Sequence, residues 1–151
     1  MKALIVYDSV YGNTEKIARA IAEAITPSNE VKVLRASEAN PSELSSISLL
    51  IVGAPTHAGR PTPAIQDFLN KVPQPSLKGI KVAAFDTRNQ SKLAKVFGNA
   101  AGRIAGHLTK KGAVLIARPE GFFVTGTKGP LKEGELERAV TWAKGILESK
   151  K

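Results

Sequence analysis

The chain has 151 residues, 42% of them apolar, which is enough to fill the core of one domain and excludes a disordered chain. It has no cysteine, so disulfide staples, thiolate metal sites and cysteine nucleophiles are excluded, in keeping with a reducing, cytoplasmic setting. Its formal charge of +9 predicts attraction to anions, from nucleotides and acidic proteins to nucleic acid, but the basic residues are spread along the chain and form no nucleic-acid-binding tail.

The opening stretch M-K-A-L-I-V-Y-D is too short for a signal peptide, and no apolar run approaches the ~20 residues of a membrane span. Residues 3–7 read instead as a first buried strand. Ile17, Ile21, Ala22 and Ile25 then recur at helical spacing behind Thr14 and Glu15, where a cap and a first-turn acid belong, and Pro27 ends that helix. Residues 31–34 give a second strand, residues 41–47 a weak short helix, and residues 49–52 a third strand. Ala64, Ile65, Phe68, Leu69 and Val72 form a helical stripe before Pro73, and residues 82–85 a fourth strand. A longer stripe runs from Leu93, Val96 and Phe97 to Leu108 and stops near Gly112. Residues 113–117 make a fifth strand, which either ends there or resumes at 122–124, and Leu136, Val140, Ala143 and Leu147 mark a last helix after Glu133 and Glu135. The first, third and fifth strands are continuous apolar runs, the mark of strands covered on both faces. Strand and helix alternate about five times, so residues 1–151 are expected to form a single α/β domain: a doubly wound parallel sheet with helices on both faces.

In such a sheet, ligands bind beyond the carboxyl ends of the strands, where strand order reverses. Three loops there are unusual. After the first strand, Ser9, Val10, Tyr11, Gly12, Asn13 and Thr14 put hydroxyl and amide groups around a glycine just before a helix whose first amides lack partners. Two readings stand: a phosphate cradle, or an ordinary cap made by Asn13 or Thr14. After the third strand, residues 54–63 carry three prolines around Thr56, His57, Ala58, Gly59 and Arg60. After the fourth come Asp86, Thr87, Arg88, Asn89, Gln90 and Ser91.

The string D-S-V-Y-G-N-T-E-K-I-A at 8–18 resembles the phosphate loop of the flavodoxin family, and G-A-P-T-H-A-G-R-P at 53–61 resembles that family's first flavin-contacting loop. The likeness covers nearly the whole chain, and the brief connection around 119–121 resembles the short-chain members. No Gly-Lys-Ser/Thr follows the single glycine, which separates the first motif from a P-loop and from G-x-G-x-x-G. The resemblance implies a three-layer flavodoxin-like fold with five parallel strands in the order 2-1-3-4-5, and flavin mononucleotide (FMN) as cofactor. Its phosphate would lie against Ser9, Val10, Tyr11, Gly12, Asn13 and Thr14, and its ring would meet Pro55, Thr56, His57, Ala58 and Gly59 on one side and Thr87, Arg88 and Asn89 on the other. A peptide next to glycine turns over cheaply, so Ala58-Gly59, or His57-Ala58, would offer its C=O or N–H to the ring according to redox state and stabilise a half-reduced flavin. The alternative for this loop is a rigid, proline-braced connection. His57 either approaches the ring or faces solvent.

Two departures from the family pattern matter. The third loop lacks the aromatic residue that usually covers one ring face; Tyr11, Phe97, Phe122 and Phe123 are candidates for that part, although the phenylalanines read better as core. Arg88 would stack on the ring or pair with its pyrimidine oxygens. Familiar flavodoxins are acidic, whereas here Arg60, Arg88, Lys92 and Lys95 lie on or near the ring-side loops, which favours a redox partner with an acidic docking surface, or a phosphorylated nicotinamide nucleotide, NAD(P)H.

The favoured function is therefore a low-molecular-weight FMN electron carrier. The alternatives are an NAD(P)H-dependent reductase of quinones or other small acceptors, and a binding module of the same fold without redox activity. A phosphoacceptor receiver domain is disfavoured, because Asp8 stands alone and the third strand ends in Gly53-Ala54-Pro55. Hydrolysis is disfavoured too: Asp8 and Asp86 lack a histidine partner and read as solvated or hydrogen-bonded within loops. No residue set suggests a metal site. His107 and Trp142 read as structural.

Overall fold

A computed structural model describes residues 2–57, 59–73, 77–89, 99–126 and 128–149. Ala58, Gln90, Ser91, Lys92, Lys95 and the stripe residues Leu93, Val96 and Phe97 lie outside the described residues. Among the described residues six strands and four α-helices follow one another: β1 (Lys2–Tyr7), α1 (Asn13–Ile25), β2 (Glu30–Arg35), β3 (Leu49–Pro55), α2 (Pro63–Lys71), β4 (Lys81–Asn89), α3 (Ala100–Lys110), β5 (Val114–Leu115), β6 (Glu120–Val124) and α4 (Glu135–Ser149). The weak segment at 41–47 is a 3-10 turn, Pro41–Ser46, opened by the Asn40 side chain, which accepts from the Ser42 amide. Among the described residues no helix is long and apolar enough to cross a membrane.

All strand pairs of the sheet are parallel, in the order β2-β1-β3-β4-β5, with β6 also paired to β4. The period-2 alternation of side chains sorts β1, β3 and β4 into two cores. Leu4, Val6, Leu50, Val52, Val82 and Ala84 face one side, where Ile65, Phe68 and Leu69 of α2 and Ile104 and Leu108 of α3 cover them. Ile5, Ile51, Ala83 and Phe85 face the other, against Ile17, Ile21 and Ile25 of α1 and Ala139, Ala143 and Ile146 of α4. The α1 isoleucines are fully buried, and each contributes roughly 1.5–3 kcal/mol. On that second side Phe85, Phe122 and Trp142 meet edge to face, with ring centroids 6.0–6.2 Å apart.

Gly53 stands opposite Phe85 in the β3–β4 register. A Cβ there would lie 2.1 Å from the Phe85 ring, so only glycine lets the ring cross the neighbouring strand.

The fifth strand breaks off and resumes, the second of its two sequence readings. β5 pairs Val114 and Leu115 with Lys81 and Val82, and β6 resumes at Glu120 opposite Phe85. Residues 116–119 thus stand against only Ala83 and Ala84, so the chain bows outward, and Pro119 has no N–H to offer the ladder. Val114 and Leu115 are exposed rather than covered on both faces, because β5 is the short edge of the sheet.

Candidate functional site

Every strand is parallel, so the loops after β1, β3 and β4 emerge at one edge. The order reverses between β1, which continues to β2, and β3, which continues to β4, and there a cleft opens. It is lined by Ser9, Val10, Tyr11, Asn13, Thr14, Pro55, Thr56, His57, Thr87, Arg88, Asn89 and Val124. The geometry thus brings together the three loops singled out in the sequence, with Gly12 and Gly59 completing two of them. No carboxylate lines the cleft among the described residues. No three histidine, aspartate or glutamate side chains gather to hold a metal among them either.

Gly12 opens α1 in the left-handed region, φ 90°, with nothing within 4 Å of the position a Cβ would take. Neither Asn13 nor Thr14 acts as the cap, contrary to the plainer of the two sequence readings: no side chain caps the helix from the Gly12 position. Ser9 supplies a hydroxyl from further back. Its Oγ accepts from the Gly12 amide at 3.0 Å and more distantly from that of Glu15 at 3.4 Å. Thr14 is buried and its hydroxyl shares a 2.8 Å hydrogen bond with that of Thr87, which ties the first loop to the third. The Asn13 amide group donates to the Lys128 carbonyl, and Gly129 lies so close beneath that side chain that a Cβ would come within 2.5 Å. Val10 and Tyr11 leave about half their surface exposed at the mouth of the loop.

Arg35 was missed by sequence reasoning. From the end of β2 its guanidinium donates to the Ser9 carbonyl at 2.9 Å, reaches Asp8 at 3.4 Å, and lies over the Tyr7 ring at 5.2 Å, bracing the first loop from outside. The available signal was topological: a basic residue closing the strand beside β1 ends at the same edge as the loop. Val124 and the Lys128 carbonyl were missed as well, because they come from the chain beyond the split fifth strand.

In the second loop, His57 and Arg60 exchange backbone hydrogen bonds of 2.8 and 3.0 Å, closing a tight turn in which Gly59 has φ 79°, a region that favours glycine. Arg103 of α3 donates from Nε to the Gly59 carbonyl at 2.8 Å. His57 is exposed.

The third loop differs most from expectation. Asp86 is fully buried and hydrogen-bonded, the second of its two sequence readings rather than the solvated one. It accepts a two-pronged bond from Arg88, Nε at 2.7 Å and Nη2 at 2.9 Å, and a third from the Ala101 amide at 2.9 Å. The Thr56 hydroxyl joins this group and accepts from the Ala100 amide at 3.1 Å. Burial pushes the Asp86 carboxyl above its ordinary range, while Arg88, Ala101 and Thr56 pull the other way. The Arg88 guanidinium lies over Gly121, where a Cβ would overlap it at 2.3 Å. Arg88 borders the cleft, but its fork is turned inward onto Asp86 rather than presented to a ring.

Phe122 is core, as read, whereas Phe123 is only half-buried and packs under the Arg138 guanidinium with its centroid 5.6 Å away. Glu135 accepts from the Phe123 amide at 2.7 Å and pairs with Arg138, which holds its carboxyl below the usual range.

A doubly wound parallel sheet whose switch point carries hydroxyls, a left-handed glycine and a helix amino end defines a mononucleotide-binding α/β protein. The family model described as Flavodoxin matches residues 5–142, and the chain belongs to the flavodoxin family, whose members bind FMN and carry electrons. Flavodoxin 2 of Bacillus cereus is 26% identical, with a TM-score of 0.84 over 98% of this chain and 99% of that one. A flavodoxin from the domain Archaea is 23% identical with a TM-score of 0.82, covering all of both chains. Coenzyme F420H(2) oxidase of Methanothermobacter marburgensis is 32% identical over 106 residues, 67% of this chain, and an uncharacterized protein of Methanocaldococcus jannaschii is 38% identical over 73 residues, 45% of this chain. The matched stretches span only 24% and 19% of those two relatives' lengths.

Proposed function

We propose that this chain holds FMN in the cleft at the ends of β1, β3 and β4 and works as a low-molecular-weight electron carrier. The observation that carries this reading is Gly12: left-handed, unobstructed, and set at the positive end of α1, with the Ser9 hydroxyl against its amide and the Thr14 hydroxyl tied to Thr87 in the first turn. That donor set suits a phosphate monoester, whose charge is met by amides and hydroxyls, with Arg35 steadying the loop behind them. Residues 9–14 would take the phosphate, while Pro55, Thr56, His57, Ala58, Gly59, Thr87, Arg88 and Asn89 would border the ring. When bound, FMN supplies the electron transfer itself. Gly59 gives the peptide before it freedom to turn over, while the His57–Arg60 bonds keep the turn closed.

The chain's charge of +9 supports an acidic redox partner, recognised through exposed Arg60 near the ring-side turn. An absorption spectrum of the purified protein, taken during stepwise reduction and followed by fluorescence titration with FMN, tests the reading. Flavin bands are expected, and Gly12→Val should weaken FMN by about tenfold to a hundredfold, since each hydrogen bond to a charged group is worth ~1.5–3 kcal/mol. Unchanged FMN affinity in that variant overturns the cradle. Sustained NADPH oxidation with a quinone as acceptor would replace the carrier reading by the reductase one.

A further inference from the structure

Beside the ring-side turn, a hollow of about 350 Å³ opens over the outer faces of α2 and α3. Arg60, Gln66, Arg103, Gly106, His107 and Lys110 line it, and among the described residues no carboxylate does. Three of the bases, Arg103, His107 and Lys110, stand three or four residues apart on α3, so they share one face of that helix. The fourth, Arg60, comes from the ring-side turn. Basic residues that look scattered in the sequence are thus gathered by the fold. Gly106 leaves room between them: a Cβ there would meet nothing within 4 Å.

Bases crowded into a concavity focus a positive potential that an anion of two or more charges relieves best. Arginine forks match phosphate oxygens in planar pairs. The volume stands at the low end of small-ligand sites, roughly 300–1,000 Å³, and suits a compact polyanion better than an extended peptide. The geometry points to a second anion site, separate from the FMN cleft, that takes a pyrophosphate group, either free or carried by a nucleotide. The site adjoins the ring-side turn through two residues: Arg103 both lines the hollow and holds the Gly59 carbonyl, and Arg60 lines it and exchanges backbone hydrogen bonds with His57.

The test is a titration of the FMN-loaded protein with inorganic pyrophosphate, and in a second arm with ADP, followed by backbone amide resonances. Saturable shifts at Arg103, His107 and Lys110, with a smaller one at Gly59, are expected. Tighter binding of ADP assigns a nucleotide as the source; equal binding assigns the phosphates alone. Gly106→Glu sets a carboxylate inside the hollow, and Lys110→Glu reverses a charge at its edge. Each should weaken pyrophosphate by about tenfold or more, with resonances outside α2 and α3 unmoved. Shifts that never saturate, that spread over the surface lysines, or that survive Gly106→Glu overturn the proposal. Repeating the titration without flavin should give the same shifts at α3, so failure of the FMN reading and failure of this one are told apart.

Discussion

The helices α1 and α3 both begin at the carboxyl edge of the sheet, and their amino ends are treated in opposite ways. At α3 the first three amides are all satisfied from within: Ala100 by Thr56, Ala101 by buried Asp86 and Gly102 by Asn99. At α1 a glycine takes the cap position and one hydroxyl, Ser9 Oγ, serves the loop. The same electrostatic feature, a positive helix end, is neutralised by the protein's own carboxylate in one place and left open toward a cleft without carboxylates in the other. Anion chemistry is therefore to be sought at α1.

The largest break in that contrast comes from Asp86→Ala. It leaves the Arg88 guanidinium and the Ala101 amide without their acceptor, and removing one side of a buried charge pair costs about 3–5 kcal/mol. Urea unfolding should register a loss of that size, and the double variant Asp86→Ala/Arg88→Met should recover part of it. A smaller effect separates the two caps directly. Asn99→Ala should lower stability by about 1 kcal/mol, the ordinary worth of a side-chain cap, and leave FMN affinity alone. Ser9→Ala should do the reverse, weakening FMN by about tenfold with little loss of stability. Equal effects of the two variants on both measurements would erase the distinction.

The smallest effect is in the pH dependence of stability. The Asp86 carboxyl is raised from 3.8, so the folded state holds its proton more tightly and stability from this group falls as pH rises through that window. Glu135 at the start of α4 is lowered from 4.5, so its contribution is complete above that value and is lost as pH falls through the folded value. The two slopes oppose each other. In urea unfolding at a series of acidic pH values, Glu135→Gln should therefore lose less stability than the parent between about pH 5 and pH 3.

Periodicity made much of this legible. The apolar runs of β1, β3 and β4 and the stripes of α1 and α2 are local signals, and so is a glycine amid hydroxyls between strand and helix. What stayed hidden depended on partners distant in the chain. Asp86 looks like a loop acid until Arg88 and the first turn of α3 close over it. Arg88 looks like a ligand for the ring until that pairing claims its fork. The resumption of the fifth strand at 122–124 is legible in the sequence, but nothing in residues 113–117 reveals that four residues must span the length of two on β4. Arg35 carries no local signal and becomes part of the site only once β2 is laid beside β1.

The Phe85 ring occupies the volume that any other residue at 53 would need. Sliding β3 along β4 by a single step would drive that ring into the neighbouring residue's methyl or methylene group, so the two strands are keyed to one alignment. The turn that leaves β3 and the loop that leaves β4 are launched from those strands, and their relative height at the sheet edge is set by this one interlock, several residues below the surface where the difference is felt.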